Sequence, residues 1–315
     1  MTETIQTVTL YSDQHFGRKI PPRAFGEMLR VLPEAIRFSI RMAFESRSQA
    51  KGKRPHWLSA ASDIRFLDHS GDDETVLHFA APQIGEAAEV LYRQRELWSS
   101  RPDPGDTGFD LLGDVIRDVT ENNADSDRFD RQLLQQVERF KNGLNSTFQR
   151  MEFTGHRIPA SAPAIINAKV VETAARLSHS TPDPQQARVV GTLDMIRSST
   201  NTFAIKLKDG DEVRGVLTEG KILKVTDLLD QDVLILGKAI YRPSGKLLRI
   251  DADEVLRAGD QDQFFSTLPK PKRARFDLRD IVRDQQHKIG VTAIYGKWPG
   301  TESDEEIQAA LKEIG

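Results

Sequence analysis

The residues most like catalytic equipment sit near the start of the chain, in "LYSDQHFG" (Leu10–Gly17). An Asp-x-His pair leaving a strand, here Asp13 and His15, suits one ion of a two-metal centre that activates water against phosphorus. Such a centre needs more ligands, usually in Gly-Asp-x-x-Asp, Gly-Asn-His and Gly-His-x-His runs. "GDVIRD" offers Gly113, Asp114 and Asp118 but is one residue too long, and "GHRI" offers Gly155 and His156 without the second histidine. No Gly-Asn-His occurs, and the 7 histidines are scattered. Asp13 and His15 are therefore expected in a polar turn after a first strand, and metal-dependent phosphoester hydrolysis is kept as a second alternative.

Three further patterns could carry charge chemistry. "GVLTEGKI" (Gly215–Ile222) is a near miss to a phosphate loop, but Ile222 replaces the hydroxyl that would bind Mg²⁺ and the run starts inside a strand. Asp106, Asp110, Asp114 and Asp118 recur every four residues, along one helical face. A solvated stripe with its first members favoured by the helix N-terminus is the expectation; docking a basic partner or a cation is the alternative. Residues 18–54 hold 10 Lys or Arg against 3 Glu. Arg30, Arg37 and Arg41 share a helical face, and Arg47, Lys51, Lys53 and Arg54 follow in a loop, a set that could contact phosphates or an acidic partner. Glu34 and Glu45 are placed to neutralise part of it.

The elements that must position these residues follow from periodicity. Residues 3–12 alternate as a strand. Pro21 and Pro22 open a helix with Phe25, Met28, Leu29, Leu32, Ile36, Ile40, Ala43 and Phe44 on one face. "DIRFLDH" and "TVLHFAA" flank a turn as a hairpin, and Ile84–Trp98 reads as a second helix. Helices are predicted at about 107–121, 126–145 and 167–179, with a short strand in "TFQRMEFTG". The stripe of the middle one is Phe129, Leu133, Val137, Phe140 and Leu144. The predicted class is thus α+β, with an N-terminal domain over 1–182 closed by the linker "STPDPQQ".

Residues 187–258 differ in texture. Five strand-like runs, a turn at Asp209–Gly210 and another at "PSG" (243–245) enclose "GKILKVTDLLDQ", which is spaced like a short helix. The order β-β-β-α-β-β predicts a small five-stranded OB-like barrel, with an SH3-like barrel as the rival. Over 187–256 the chain has 11 basic and 11 acidic residues, and only Phe203 and Tyr241 as aromatics. That is poor equipment for single-stranded nucleic acid, which wants a positive groove and stacking platforms. Residues 259–315 form a linker and extended tail.

The tail, "GKWPGTESDEEIQAALKEIG", joins a rigid Trp298-Pro299-Gly300 anchor to four carboxylates at 302–306 and a terminal helix from about 304, capped by Ser303 and Glu306. Ile307, Ala310, Leu311 and Ile314 would face a partner groove or the chain's own surface. This segment resembles the C-terminal segments of bacterial antitoxins that pair with PIN-type ribonuclease toxins, with Thr301 where an aspartate is common. "YRPSGKLLRIDAD" (241–253) also looks like part of a bacterial family without an assigned activity. The antitoxin resemblance implies occlusion of a toxin by Trp298, Pro299, Gly300, Glu302, Asp304, Glu305, Ile307 and Leu311. In it Arg279, Arg283, Lys288 and Lys297 would meet the toxin's acidic site.

With 315 residues, a net charge of −3 and no cysteine, thiolate metal sites, thiol nucleophiles and a wholly basic surface are excluded. No signal peptide or membrane-length apolar run is visible, so a cytoplasmic protein is expected. The expected role is a non-enzymatic interaction protein, an antitoxin or regulatory subunit of a toxin–antitoxin or defence module, with a protein partner and no cofactor or metal. Nucleic-acid binding through the basic N-terminal face and the barrel is the first alternative.

Overall fold

The first strand, β1 (Glu3–Tyr11), alternates because one of its faces is covered. Gln6, Val8 and Leu10 are buried while Ile5 stands exposed and Thr7, Thr9 and Tyr11 are only half-buried. In the computed structural model, which describes residues 3–92, 102–144, 147–217 and 225–271, β1 is the central strand of a five-stranded antiparallel sheet. Its order is β2 (Arg65–Ser70), β3 (Thr75–Pro82), β1, β4 (Arg150–Phe153) and β5 (Ala164–Asn167). The register sets Val8 opposite both Leu77 and Phe153, which share its buried face.

Helix α1 (Pro22–Glu45) packs against other helices and meets the sheet where Phe25 contacts Phe66 of β2. Proline at its first position costs nothing there, and Ser46 ends it in a left-handed conformation (φ 55°) with its N–H on the Met42 carbonyl. Met28, Leu32, Ile36, Ile40 and Phe44 of the predicted stripe are buried, whereas Ala43 is exposed. Helix α2 (His56–Ala61), which periodicity did not reveal, buries Trp57 and Leu58. The predicted helix from Ile84 is broken at Ala88 into α3 (Ile84–Ala87) and α4 (Glu89–Tyr92), and its remainder lies outside the described residues. Helix α5 (Gly108–Thr120) comes so close to α1 that a Cβ on Gly108 would stand 2.3 Å from Ile36. Phe109 on α5 contacts Phe79 and Phe153 of the sheet.

The predicted helix over 126–145 is two pieces, α6 (Arg131–Glu138) and α7 (Lys141–Leu144), separated at Arg139–Phe140. Asp130 starts the first by accepting the Leu133 N–H, and the break lets Gly143 press against Met28 without room for a side chain. Its stripe, Phe129 to Leu144, is buried as predicted. Helix α8 (Ala168–Ser180) follows, capped by Asn167.

After residues 181–184 the chain enters a closed barrel of β6 (Gln185–Arg197), β7 (Thr202–Lys206), β8 (Glu212–Leu217), β9 (Asp232–Tyr241) and β10 (Leu247–Arg257). Sequential pairing of the first three strands, a parallel β8–β10 pair and closure through β10–β9–β6 give the OB-like order rather than the SH3-like one. Val189, Leu193, Phe203, Ile205, Val213, Val233, Ile235 and Ile250 fill it. Phe203 occupies the space a Cβ on Gly215 would need (2.1 Å), which explains glycine in that strand. Gly210 makes the Asp209–Gly210 turn at φ 92°. The predicted helix between β8 and β9 is corrected in part. Residues 218–224 lie outside the description, and Thr226–Leu228 form a 3₁₀ turn.

Sheet, helices and barrel belong to one compact unit within residues 1–272. No helix among the described residues is long and apolar enough to cross a membrane.

Candidate functional site

The polar centre of the molecule is built on the start of α5. Thr107 caps the helix through the Phe109 N–H (3.3 Å), and Asp110 closes a capping box on the Thr107 N–H (2.8 Å). This geometry turns the four-residue aspartate stripe inward rather than to solvent. Asp106 is 1%, Asp110 0% and Asp118 4% exposed, so the expectation of a solvated face is overturned. A buried carboxylate must be hydrogen-bonded or paired, and each of these is.

Arg157 is the chief partner. Its Nε donates to Asp106 Oδ1 (2.6 Å), its Nη2 to Asp114 Oδ2 (2.9 Å), and its backbone N–H to Asp110 Oδ1 (2.6 Å). Gly155 permits this approach, since a Cβ there would meet Asp110 Oδ1 at 2.4 Å. At the far end of the stripe Asp118 accepts from Ser126 Oγ (2.5 Å) and Arg128 Nη1 (3.0 Å). "GDVIRD" and "GHRI" are thus brought together, as the two-metal pattern would require, but the cation between them is an arginine. The residues differ in electrostatics too. Burial pushes the Asp106 carboxyl above the ordinary carboxylate range, against the pull of Arg157, and the Asp106 hydrogen bond raises the Arg157 guanidinium.

These residues form one wall of a cavity of about 400 Å³. Met42 and Ala43 of α1 lie opposite, and Arg214 of β8 closes it from the barrel side, 3.9 Å from Asp127. Next to it the barrel is fastened to the helices by a buried ion pair. Arg249 Nη1 donates to the Ser46 carbonyl (2.9 Å) and Asp130 Oδ2 (3.3 Å), while Asp130 also accepts from Ser48 N–H and Oγ. The β9–β10 turn is gripped as well. Arg242 donates to the Asp125 carbonyl (2.6 Å), Ser244 N–H to the Ala124 carbonyl (3.1 Å), and Lys246 to the Asp125 carboxylate (2.8 Å).

OB barrels that hold oligonucleotides use the outer face of their second and third strands and the loops beside it. Here Phe203, Ile205 and Val213 point into the barrel, so Thr202, Ala204 and Val216 point outward, yet all three are buried. Lys206 is tied to Asp194 (2.7 Å), and Arg214 faces the cavity.

Asp13 and His15 sit in a turn after β1. The Asp13 carboxylate accepts from Gln149 Nε2 (3.0 Å), and His15 has a positive φ of 47°. Among the described residues no group of three or more His, Asp or Glu is placed to hold a metal ion. In the basic stretch Arg30 pairs with Glu27 (2.7 Å) and Arg37 with Glu34. Arg41, buried at 7%, and Arg47 share Glu45. Lys51, Lys53 and Arg54 are exposed in the loop before α2. Trp298, Pro299, Gly300, Glu302, Asp304, Glu305, Ile307, Leu311, Arg279 and Arg283 lie outside the described residues, as do Lys288 and Lys297. The sequence reading did not single out Arg157, Arg249 or Asp130; only Asp130, standing just before a helical stripe, carried a local signal.

No protein-family model matches the chain, and no curated protein or solved structure is significantly similar to it.

Proposed function

We propose that this protein is a non-enzymatic interaction protein of the cytoplasm that binds a protein partner through residues 273–315, in the manner of an antitoxin or regulatory subunit. The observation that carries the reading is that the arginines of the polar centre are each paired with a carboxylate of the same chain. The acidic stripe is held by Arg157 and Arg128, and Arg41, Arg47 and Arg249 are held by carboxylates. Charges committed in this way serve stability and register rather than turnover. What remains for recognition is the segment after Lys272, with its Trp-Pro-Gly anchor, acidic run and helically spaced apolar residues. Its resemblance to antitoxin tails makes a small PIN-type ribonuclease the proposed partner.

The nucleic-acid reading finds less support, because the outward residues Thr202, Ala204 and Val216 of β7 and β8 are buried and the β9–β10 turn is held by the chain's own helical layer. The test is co-purification of the full chain and of Met1–Lys272 with the small ribonuclease encoded beside it. The full chain should form a stable complex that the truncation does not. The absence of any adjoining ribonuclease frame, or retention of the partner by the truncation, contradicts the proposal.

A further inference from the structure

The edge of a β-sheet is a row of backbone N–H and C=O groups without partners, and folded proteins close it, cover it or guard it with lysine or proline. The barrel closes on itself and has no edge. In the five-stranded sheet β5 packs with α5 and α8, whereas β2, at the opposite end, has β3 as its one extensive neighbour among the described residues. β2 contains neither lysine nor proline, and every residue from Arg65 to His69 is exposed. Phe66 and Leu67, near its middle, are 38% and 51% exposed. Its register against β3 shifts between Phe66 and Asp68, which makes Leu67 the extra residue of a bulge. Residues three apart on a strand ordinarily point to opposite faces. Here the bulge turns Arg65, opposite Ala80, and Asp68, opposite His78, to the same one.

We propose that β2 pairs antiparallel with β2 of a second copy of this chain about a two-fold axis, joining the two five-stranded sheets edge to edge. When Arg65 lies opposite Asp68 of the second copy, Phe66 lies opposite its Leu67, and the axis repeats both pairs. Opposite charges then meet each other, and apolar side chains meet each other. A two-fold contact has to be self-complementary, and this strand is. The bulge points to the same occupant: a regular strand would leave it unmatched, whereas the same strand reversed brings an identical bulge. Parallel pairing in register would instead set Arg65 on Arg65 and Asp68 on Asp68. Arg65 holds Asp63 (2.7 Å) and Glu3 (3.4 Å) within its own chain, which leaves further N–H groups of the guanidinium for the second carboxylate. The pairing uses no residue of 273–315 and stands or falls apart from partner binding by the tail.

The experiment is sedimentation equilibrium of the full chain at concentrations up to about 0.5 mM, since a contact of one short strand belongs to the weak interfaces. A mass rising towards twice the 35.4 kDa of one chain is expected. Arg65→Asp, which sets carboxylate against carboxylate at both ends of the pair, should weaken association at least about tenfold. Adding Asp68→Arg restores the pair with its charges exchanged and should recover the dimer. Leu67→Lys, a guarding charge at an exposed position, should give a monomer with an unchanged circular dichroism spectrum. A monomer at the highest concentration, a dimer undiminished by Arg65→Asp or Leu67→Lys, or no recovery in the charge-exchanged variant overturns the proposal.

Discussion

Replacing Arg157 by alanine removes two charge-assisted hydrogen bonds, to Asp106 (2.6 Å) and Asp114 (2.9 Å), while the backbone N–H to Asp110 stays. Stripping one partner from a buried pair costs about 3–5 kcal/mol, because the other charge stays behind in a poor solvent. Arg157 is itself 39% exposed, so water recovers part of that, and Asp114 keeps Arg117 at 3.3 Å. A loss of about 2–3 kcal/mol at pH 7 follows from these two considerations.

The pH dependence of this loss is the more discriminating reading. Asp106 has a folded-state pKa raised above its ordinary 3.8, mainly by burial. Its protonated form therefore favours the fold, an advantage fully present below 3.8 and lost as pH rises through the raised folded value. Removing Arg157 takes away the influence that lowers this pKa, so the window widens upward and the variant loses more stability than the parent as pH rises. Urea unfolding of both proteins should show a smaller gap at pH 4 than at pH 7, because protonated Asp106 favours the fold and no longer needs the arginine's countercharge. A gap of equal size at both pH values would refute the assignment of Asp106 as the carboxylate that Arg157 neutralises.

Arg249→Met should cost about 2–3 kcal/mol in the same assay, since Asp130 is left buried with its Ser48 and Leu133 donors but no countercharge. Adding Asp130→Asn, which can still cap α6, should restore part of that, and a strictly additive double variant would count against the pairing. Gly215→Ala places a methyl against the Phe203 ring and should destabilise by about 1–3 kcal/mol, relieved by Phe203→Leu; a neutral outcome would mean the barrel core is looser than described. Fluorescence titration with a single-stranded oligonucleotide at physiological salt should be flat, whereas saturable binding that weakens with added salt would favour the nucleic-acid alternative.

What could be read from the sequence was whatever local pattern determines. The α1 stripe, the barrel strands and the Asp209–Gly210 turn follow from alternation, helical spacing and glycine geometry, and the strand order came out OB-like. The aspartate stripe was visible as a pattern but its direction was not. Whether a row of carboxylates faces water depends on Arg157, about forty residues downstream, and on Gly155 letting that loop close. The same holds for Arg249 and Asp130, whose pairing is set by how the barrel docks on the helices. Short elements such as α2 and β5 escaped because a single turn or four residues carry too little periodicity.

The reading of the polar centre as structural and of residues 273–315 as the recognising element is tested most directly by inhibition of RNA cleavage. The proposed partner, a PIN-type ribonuclease encoded beside the chain, would be assayed alone, with the full chain, and with Met1–Lys272. Cleavage should be suppressed at one-to-one stoichiometry by the full chain and restored when the truncated chain replaces it. Equal suppression by both proteins, or uninhibited cleavage with the full chain, would contradict the account.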